Sequence, residues 1–292
     1  MMQNDESWLK EIRQGVLVKP LPSWEDFIDF VKDPKKCWST LIYRGQANYK
    51  WPLLSRLDRL EKRYPTKPNL GGGIPKEFLV PRVDRETHLN RFKETALDKI
   101  MKTVTSEDGW MAIAQHHGLA TPLLDWTYSP FVALFFAFEE EKCDCDGEFK
   151  RPDKRVVFTL THHLVDKNKA IKELVRPFSA PGYGNYRAVS QAGVFFKMPE
   201  GKDLESYVKE NFKADTYTEP KGNGSGNLHP QLILRRLEIP NTDTARVECL
   251  RFLDHMNINR ASLFPDLDGV ARYVNDLWEV NFDKALGYMK QL

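Results

Sequence analysis

The stretch that decides the fold runs from Gln115 to Phe138 and reads QHHGLATPLLDWTYSPFVALFFAF. Gly118 predicts the end of one helix, so His116 and His117 fall in its last turn. Ser129–Pro130 predicts the start of another, with Ser as the N-cap and Pro at the first helical position. The residues that follow are apolar on all sides, so we expect this second helix to be buried all round.

Working outward, short β-prone runs alternate irregularly with helical patterns. The β-prone runs are Leu41–Tyr43, Arg155–Leu160, Gly193–Met198 and Leu232–Ile239. Helices are predicted after Ser23, after Ser106 or Asp108, over about Asp84–Val104, and as two or three segments within Thr242–Met289. Without regular strand-helix alternation a doubly wound parallel sheet is not expected. The sequence therefore predicts an α+β protein.

Composition and fingerprints exclude several classes. The 292 residues carry 43 Lys and Arg against 41 Asp and Glu, so the net charge of +2 does not favour a dedicated DNA-binding protein. No G-x-G-x-x-G follows a strand, and Gly71–Gly73 lacks the Lys and Ser or Thr of a P-loop, which argues against dehydrogenases and kinases. No apolar run reaches the roughly 20 residues of a membrane helix. With no secretory signal and four scattered cysteines, we expect a cytoplasmic protein with free thiols.

The first candidate for chemistry is Tyr43–Arg44–Gly45–Gln46, at the end of a predicted strand. An Arg in that place offers a fixed fork of donors to a phosphate, and the Gly allows a ligand to approach the backbone. The alternative is a structural Arg paired with an internal carboxylate. Both interpretations stay open at this point.

The second candidate is Gln115–Thr127, which contains His116, His117, Asp125 and Trp126. Adjacent His residues on a helix point about 100° apart, so we expect no metal bound by both. Asp125 has three open roles: to orient a His, to bind a ribose hydroxyl, or to pair with the Arg of the first candidate.

The third candidate is Gln191, which precedes a β-rich run. Its amide can hydrogen-bond a sugar hydroxyl but cannot act as a general base. The alternative is a structural amide at the end of a strand.

In this order, these segments resemble the FRG domain family, named for an aromatic-Arg-Gly motif that stands here as Tyr43–Arg44–Gly45. The resemblance extends to Trp51–Leu57, Glu86 with Arg91–Phe92, Gln115–Leu119, Leu124–Thr127, Ser129–Pro130, Ala133–Ala137, Gln191–Phe195 and Leu263–Gly269. It implies one FRG domain over residues 22–275, after an N-terminal extension 1–21, with a core at 38–200 and a C-terminal helical part at 242–289 packed on it. Pro122 stands where the family usually has Arg.

The FRG layout is similar to that of ADP-ribosyltransferases, which implies a mixed, split β-sheet with flanking helices around an ADP-ribosyltransferase-like core. NAD would be the substrate, and an unidentified macromolecule or nucleotide would accept ADP-ribose. The resemblance implies catalytic roles for Arg44, Gln191 and His117. Cofactor-binding roles would fall to Tyr43, Gly45, Gln46, His116, Gly118, Thr121, Asp125, Trp126 and Thr127.

Because the family occurs in bacteria and phages, a toxin or an anti-phage defence protein is implied. The alternative is a non-catalytic module that binds a nucleotide or nucleic acid through Arg44, Trp51 and the basic residues Arg59, Lys62, Arg63 and Lys67. No membrane partner is expected.

Overall fold

The computed structural model describes residues 15–33, 41–64, 85–99, 104, 106–145, 147–161, 177–178, 186–211, 234–242 and 244–289. The Pro- and Gly-rich composition between Tyr64 and Pro81 and between Ala214 and Pro230 predicts two long loops. Apart from Tyr64 itself, both segments lie outside these ranges, and so does Lys67. Tyr183, a further aromatic candidate for stacking on nicotinamide or adenine, also lies outside them.

A seven-stranded mixed sheet organises the chain. Its strands are β1 (Val16–Pro20), β2 (Leu41–Gln46), β3 (Leu123–Thr127), β6 (Lys154–Thr161), β7 (Pro177–Phe178), β8 (Gly193–Lys197) and β9 (Leu234–Pro240). Their spatial order is β1-β9-β6-β2-β3-β8-β7, and all neighbours are antiparallel except β1 and β9. A separate hairpin joins β4 (Cys143–Cys145) to β5 (Glu148–Lys150). The α+β prediction is confirmed.

The helices are α1 (Trp24–Lys32), α2 (Arg56–Arg63), α3 (Arg85–Ala96), α4 (Glu107–His116), α5 (Pro130–Phe138), α6 (Tyr186–Ser190), α7 (Leu204–Asn211), α8 (Ala245–His255), α9 (Arg260–Leu263) and α10 (Leu267–Met289). Side chains of Ser23, Ser106 and Ser129 accept from backbone N–H groups in the first turns of α1, α4 and α5, as predicted. Within the described ranges no helix is long and apolar enough to cross a membrane.

The segment predicted as an N-terminal extension contributes an edge strand. β1 pairs in parallel with β9 from Val16–Leu234 to Pro20–Glu238. Residues 16–20 are thus part of the main sheet, through a partner strand that lies far along the sequence.

Apolar clusters cover both faces of the sheet. On one face α5 packs with α1 and α8, through residues such as Phe27, Leu134 and Leu253. On the other face Ile42 and Trp126 belong to a cluster that α7 completes. Alternate side chains of β2 therefore point into different layers, which is the period of a strand.

Gly45 is where α5 lies against β2. A Cβ atom on Gly45 would stand 1.9 Å from the carbonyl oxygen of Ala133 and 2.6 Å from the nitrogen of Ala137. Both are backbone atoms, so a side-chain rotation cannot relieve the overlap. The close approach that this glycine permits is that of α5, whereas the sequence suggested the approach of a ligand.

The C-terminal end of α5 is held by two buried arginines. Carbonyl groups within Ala137–Glu141 accept hydrogen bonds from Arg155 at 3.2 and 3.1 Å and from Arg246 at 3.1 and 2.9 Å. Positive charge at this end complements the helix dipole and satisfies carbonyls that lack helical partners. The backbone at Glu139, which borders the site described next, is thereby fixed.

Candidate functional site

A cleft opens where two central strands stop pairing. β2 and β3 share one residue pair, Tyr43 with Thr127, whereas β2 pairs with β6 along its whole length. The cleft beside this pair has a volume of about 420 Å³. That volume lies within the range of about 300–1,000 Å³ typical of small-molecule pockets.

Most of the residues predicted to form the site line this cleft. They are Tyr43, Arg44, Gly45, Gln46, His116, Asp125, Trp126, Thr127 and Gln191. His117, Gly118 and Thr121 are not among the lining residues. His117 is the exposed C-cap of α4, and Gly118 follows it with a positive φ of 90°. The structure thus turns His116 toward the cleft, although the sequence favoured His117.

Arg44 lies between the separating strands. Its Nη1 donates a hydrogen bond to the carbonyl oxygen of Asp125 at 2.6 Å and lies 3.9 Å from that residue's Oδ2. The Arg44 side chain is 15 % exposed, and its buried Nε has no hydrogen-bond partner among the described residues. Burial lowers the pKa of Arg44 to about 10, against the opposing effect of the Asp125 charge. The guanidinium therefore keeps donor capacity for a ligand.

A chain of hydrogen bonds orients the Asp125 carboxylate. The Gln115 amide nitrogen donates to Asp125 Oδ1, and the Thr121 hydroxyl donates to the oxygen of the same amide. Thr121 is therefore connected to the cleft through Gln115, although it does not line it.

The environment of Asp125 favours its protonated form more than water would. Although 59 % of the side chain is exposed, that surface faces into the cleft, and protein surrounds the carboxylate on its other sides. The resulting loss of hydration raises the pKa of Asp125, while Arg44 and the Gln115 hydrogen bond oppose the rise.

Two hydrogen bonds fix the position of Gln191, one through its backbone and one through its side chain. Its backbone carbonyl accepts a hydrogen bond from the Thr127 hydroxyl at 2.6 Å, and its side-chain nitrogen donates to the Leu263 carbonyl at 3.1 Å. Ala192, which follows, has a φ of 46°, a left-handed conformation that is uncommon for a residue with a side chain. The side-chain oxygen of Gln191 makes no hydrogen bond in the described part of the chain, so it remains as the acceptor that this residue can offer.

Several buried polar atoms at the cleft lack partners among the described residues. They are the Tyr43 hydroxyl, both amide atoms of Gln46 and the indole nitrogen of Trp126. Burial also raises the pKa of Tyr43 to about 12. Buried polar groups are nearly always hydrogen-bonded, if not to protein then to water or ligand. Their concentration at this cleft is typical of a binding site.

Charged residues that the sequence did not assign to a site also border the cleft: Glu139, Glu140 and Arg187. Arg59, one of the basic residues predicted for the alternative binding module, borders it as well. Arg187 donates to Asp266 through Nε at 2.9 Å and lies over the Phe264 ring at 5.4 Å. It thus connects the cleft to the segment between α9 and α10. No local motif marks Glu139, Glu140 or Arg187, because they come from the end of an apolar helix or from a short separate helix.

Glu139 stands out among them. Burial raises its pKa to about 7, although Arg260 lies 3.1 Å away and favours the charged form. Arg260 also contacts Asp276 at 2.7 Å and Glu140 at 3.5 Å. Three carboxylates around Arg260 raise its pKa. For Glu139 the loss of hydration outweighs the attraction of Arg260 and Arg272.

The comparisons with known proteins fit this geometry. Residues 39–145 match the family model of the FRG domain, a range that includes Arg44, Asp125 and Glu139. No curated protein and no solved structure matches the chain. Gln191 and Arg187 lie outside the matched range, so the cleft is completed by residues beyond it. The chain therefore contains a segment, residues 39–145, that matches the FRG domain.

Proposed function

We propose that the cleft binds NAD as a substrate and that the protein transfers ADP-ribose from it or cleaves it. The observation that carries the proposal is Arg44, a guanidinium 15 % exposed between β2 and β3 whose buried Nε has no partner among the described residues. An arginine in that position suits a diphosphate, because its planar fork matches phosphate oxygens. The resemblance of the FRG layout to ADP-ribosyltransferases motivates the choice of NAD among diphosphates.

Cleavage of NAD at the nicotinamide–ribose bond does not need a strong general base. Breaking the bond between nicotinamide and ribose develops positive charge on the ribose, so the site must position the leaving group and stabilise that charge. Asp125 and the side-chain oxygen of Gln191 are acceptors for ribose hydroxyls. The amide of Gln46 has both a donor and an acceptor without described partners, which suits the carboxamide of nicotinamide.

A second candidate function has an observation of its own. Arg56, Arg59, Lys62 and Arg63 are exposed along α2, and Arg59 also borders the cleft. Such a basic helix beside a pocket favours a module that binds a nucleotide or a nucleic acid without turnover.

The first candidate, an enzyme that consumes NAD, would suit a toxin or an anti-phage defence protein.

The two candidates are separated by one assay. The pure protein is incubated with labelled NAD, with and without RNA, DNA and bacterial lysate, and released nicotinamide and transferred label are measured. Arg44→Ala is compared with Arg91→Ala, which removes an exposed arginine outside the cleft. We expect turnover in wild type and Arg91→Ala and none in folded Arg44→Ala.

A different pattern favours the binding module. If folded wild type shows no turnover and no NAD-induced rise in melting temperature, the NAD proposal is refuted. Salt-sensitive RNA or DNA binding that persists in Arg44→Ala and weakens in Lys62→Ala would then support the second candidate.

A further inference from the structure

Two thiols face each other beside the cleft. Cys143 and Cys145 occupy the first and last positions of β4, and their Sγ atoms are 3.4 Å apart. Residues two apart on a strand project to the same side, which explains the contact. Both side chains are buried.

The pair belongs to the wall of the cleft. Cys143 and Cys145 form an apolar cluster with Ala47, and Trp51 packs against it. Ala47 and Trp51 also line the cleft. Any movement of the two cysteines therefore changes the support of this wall.

A buried cation lies near the pair, since the Arg155 guanidinium interacts electrostatically with both cysteines. The attacking species in thiol–disulfide exchange is a thiolate.

We propose that Cys143 and Cys145 form a reversible dithiol–disulfide pair that is oxidised by small-molecule disulfides of the glutathione type, and that oxidation displaces the cleft wall formed by Ala47 and Trp51. In the first step a cysteine thiolate attacks the small disulfide and expels one thiolate. In the second step the other cysteine attacks the mixed disulfide and expels the second. The protein loses two hydrogens, and the oxidant is reduced to two thiols.

The geometry of a β-strand explains how a Cys143–Cys145 disulfide would displace the cleft wall. Two residues along a strand span about 6.6–6.8 Å, whereas disulfide-bonded Cα atoms lie about 4.4–6.8 Å apart, most often near 5.5–6 Å. Closing the bridge at the most common Cα separation therefore contracts β4. β5 holds β4 by a register of only three residues, from Cys143–Lys150 to Cys145–Glu148, and β5 is exposed throughout. The hairpin can thus open locally for reagent access and deform when the bridge forms.

The test uses the full chain in buffers with graded ratios of oxidised to reduced glutathione. After acid quenching and alkylation, peptide mapping by mass spectrometry measures the Cys143–Cys145 bridge. We expect a bridged fraction that rises with the ratio and reverses on reduction. Because a contracted bridge is strained, the midpoint should need a more oxidising ratio than an unstrained structural disulfide does. Cys37→Ser should keep the bridge, and Cys145→Ser should lose it.

Hydrogen exchange tests the effect on the wall. Oxidised protein should exchange faster than reduced protein at residues 47–51 and 148–150, with no change in α1. Separate glutathione adducts on each cysteine without a bridge would overturn the proposed pair. A bridge with unchanged exchange at 47–51 would overturn the effect on the cleft. Neither readout involves NAD, so the failure of one proposal leaves the other standing.

Discussion

Replacing Gly45 by alanine tests the claim that this position requires a glycine because α5, and not a ligand, approaches its backbone closely. The added Cβ would overlap the Ala133 oxygen at 1.9 Å and the Ala137 nitrogen at 2.6 Å. The helix must move away from β2 to make room. Because α5 lies in the main core, that movement disturbs packing on both sides of the helix.

The magnitude follows from the atoms involved. Overpacking a core costs about 1–3 kcal/mol, and occasionally more. Both contacts here are with backbone, so we expect about 3 kcal/mol of lost unfolding free energy. At about 2–4 °C per kcal/mol for a chain of this size, the melting temperature should fall by about 6–12 °C.

The assay is thermal and urea unfolding of wild type, Gly45→Ala and Gly193→Ala. Gly193 is the matched control, because its added Cβ would stand 3.2 Å from the Ala188 oxygen, a contact that a small shift relieves. We expect that control to lose about 1 kcal/mol or less. A Gly45→Ala protein with a melting temperature within about 2 °C of wild type would refute the packing argument. If it also lost ligand binding, the glycine would serve the ligand instead.

Three further predictions concern the carboxylates and amides of the cleft. The pKa of Glu139 rises from its ordinary 4.5 to about 7 in the fold. Between these two pH values the native protein holds a proton that the unfolded chain has lost, so the unfolding free energy falls by about 3 kcal/mol as the pH rises through this window. Glu139→Gln lacks this loss, so its unfolding free energy relative to wild type should rise by about that amount across the window, measured by urea unfolding at several pH values. Gln115→Leu removes a donor that lowers the pKa of Asp125, so a carboxyl NMR titration should show a higher pKa there. Gln191→Ala should abolish nicotinamide release with little change in melting temperature, whereas Trp126→Ala, at a site that is 2 % exposed, should cost about 3–5 kcal/mol.

Each of these three has its own contrary result. A constant stability difference between wild type and Glu139→Gln from pH 4.5 to 7 would show that its burial does not hold the proton. An unchanged titration of Asp125 in Gln115→Leu would remove the amide from the network. Equal unfolding by Gln191→Ala and Trp126→Ala would mean that Gln191 is a structural residue. Glu141→Gln is the control for the first test, because Glu141 is 46 % exposed and is not among the charges that shift the pKa of Glu139.

Much of the local structure can be predicted from the sequence. Ser106 and Ser129 cap the helices that they were expected to cap. Asp266 accepts from the Gly269 N–H at the start of α10, at the same spacing of three residues. These features depend on residues three positions apart, so a short window contains them. The predicted helix over 84–104 is shorter in the structure, where α3 ends at Ala96 and a 3₁₀ turn follows.

Long-range placement could not be predicted in the same way. The parallel pairing of β1 with β9 depends on a partner more than two hundred residues away. The choice between His116 and His117 depends on the rotation of α4 about its axis, which a pattern with apolar residues on several sides does not fix. Glu139 and Arg187 reach the cleft only because α5 and α6 pack beside β2 and β8.

The most direct test of the central claim compares nicotinamide release from NAD by wild type, Arg44→Ala and Arg91→Ala at equal concentrations of folded protein. The account predicts release by wild type and by Arg91→Ala, and release indistinguishable from buffer by Arg44→Ala with its melting temperature close to wild type. Equal release by all three proteins, or none from a wild type that NAD does not stabilise, would contradict it.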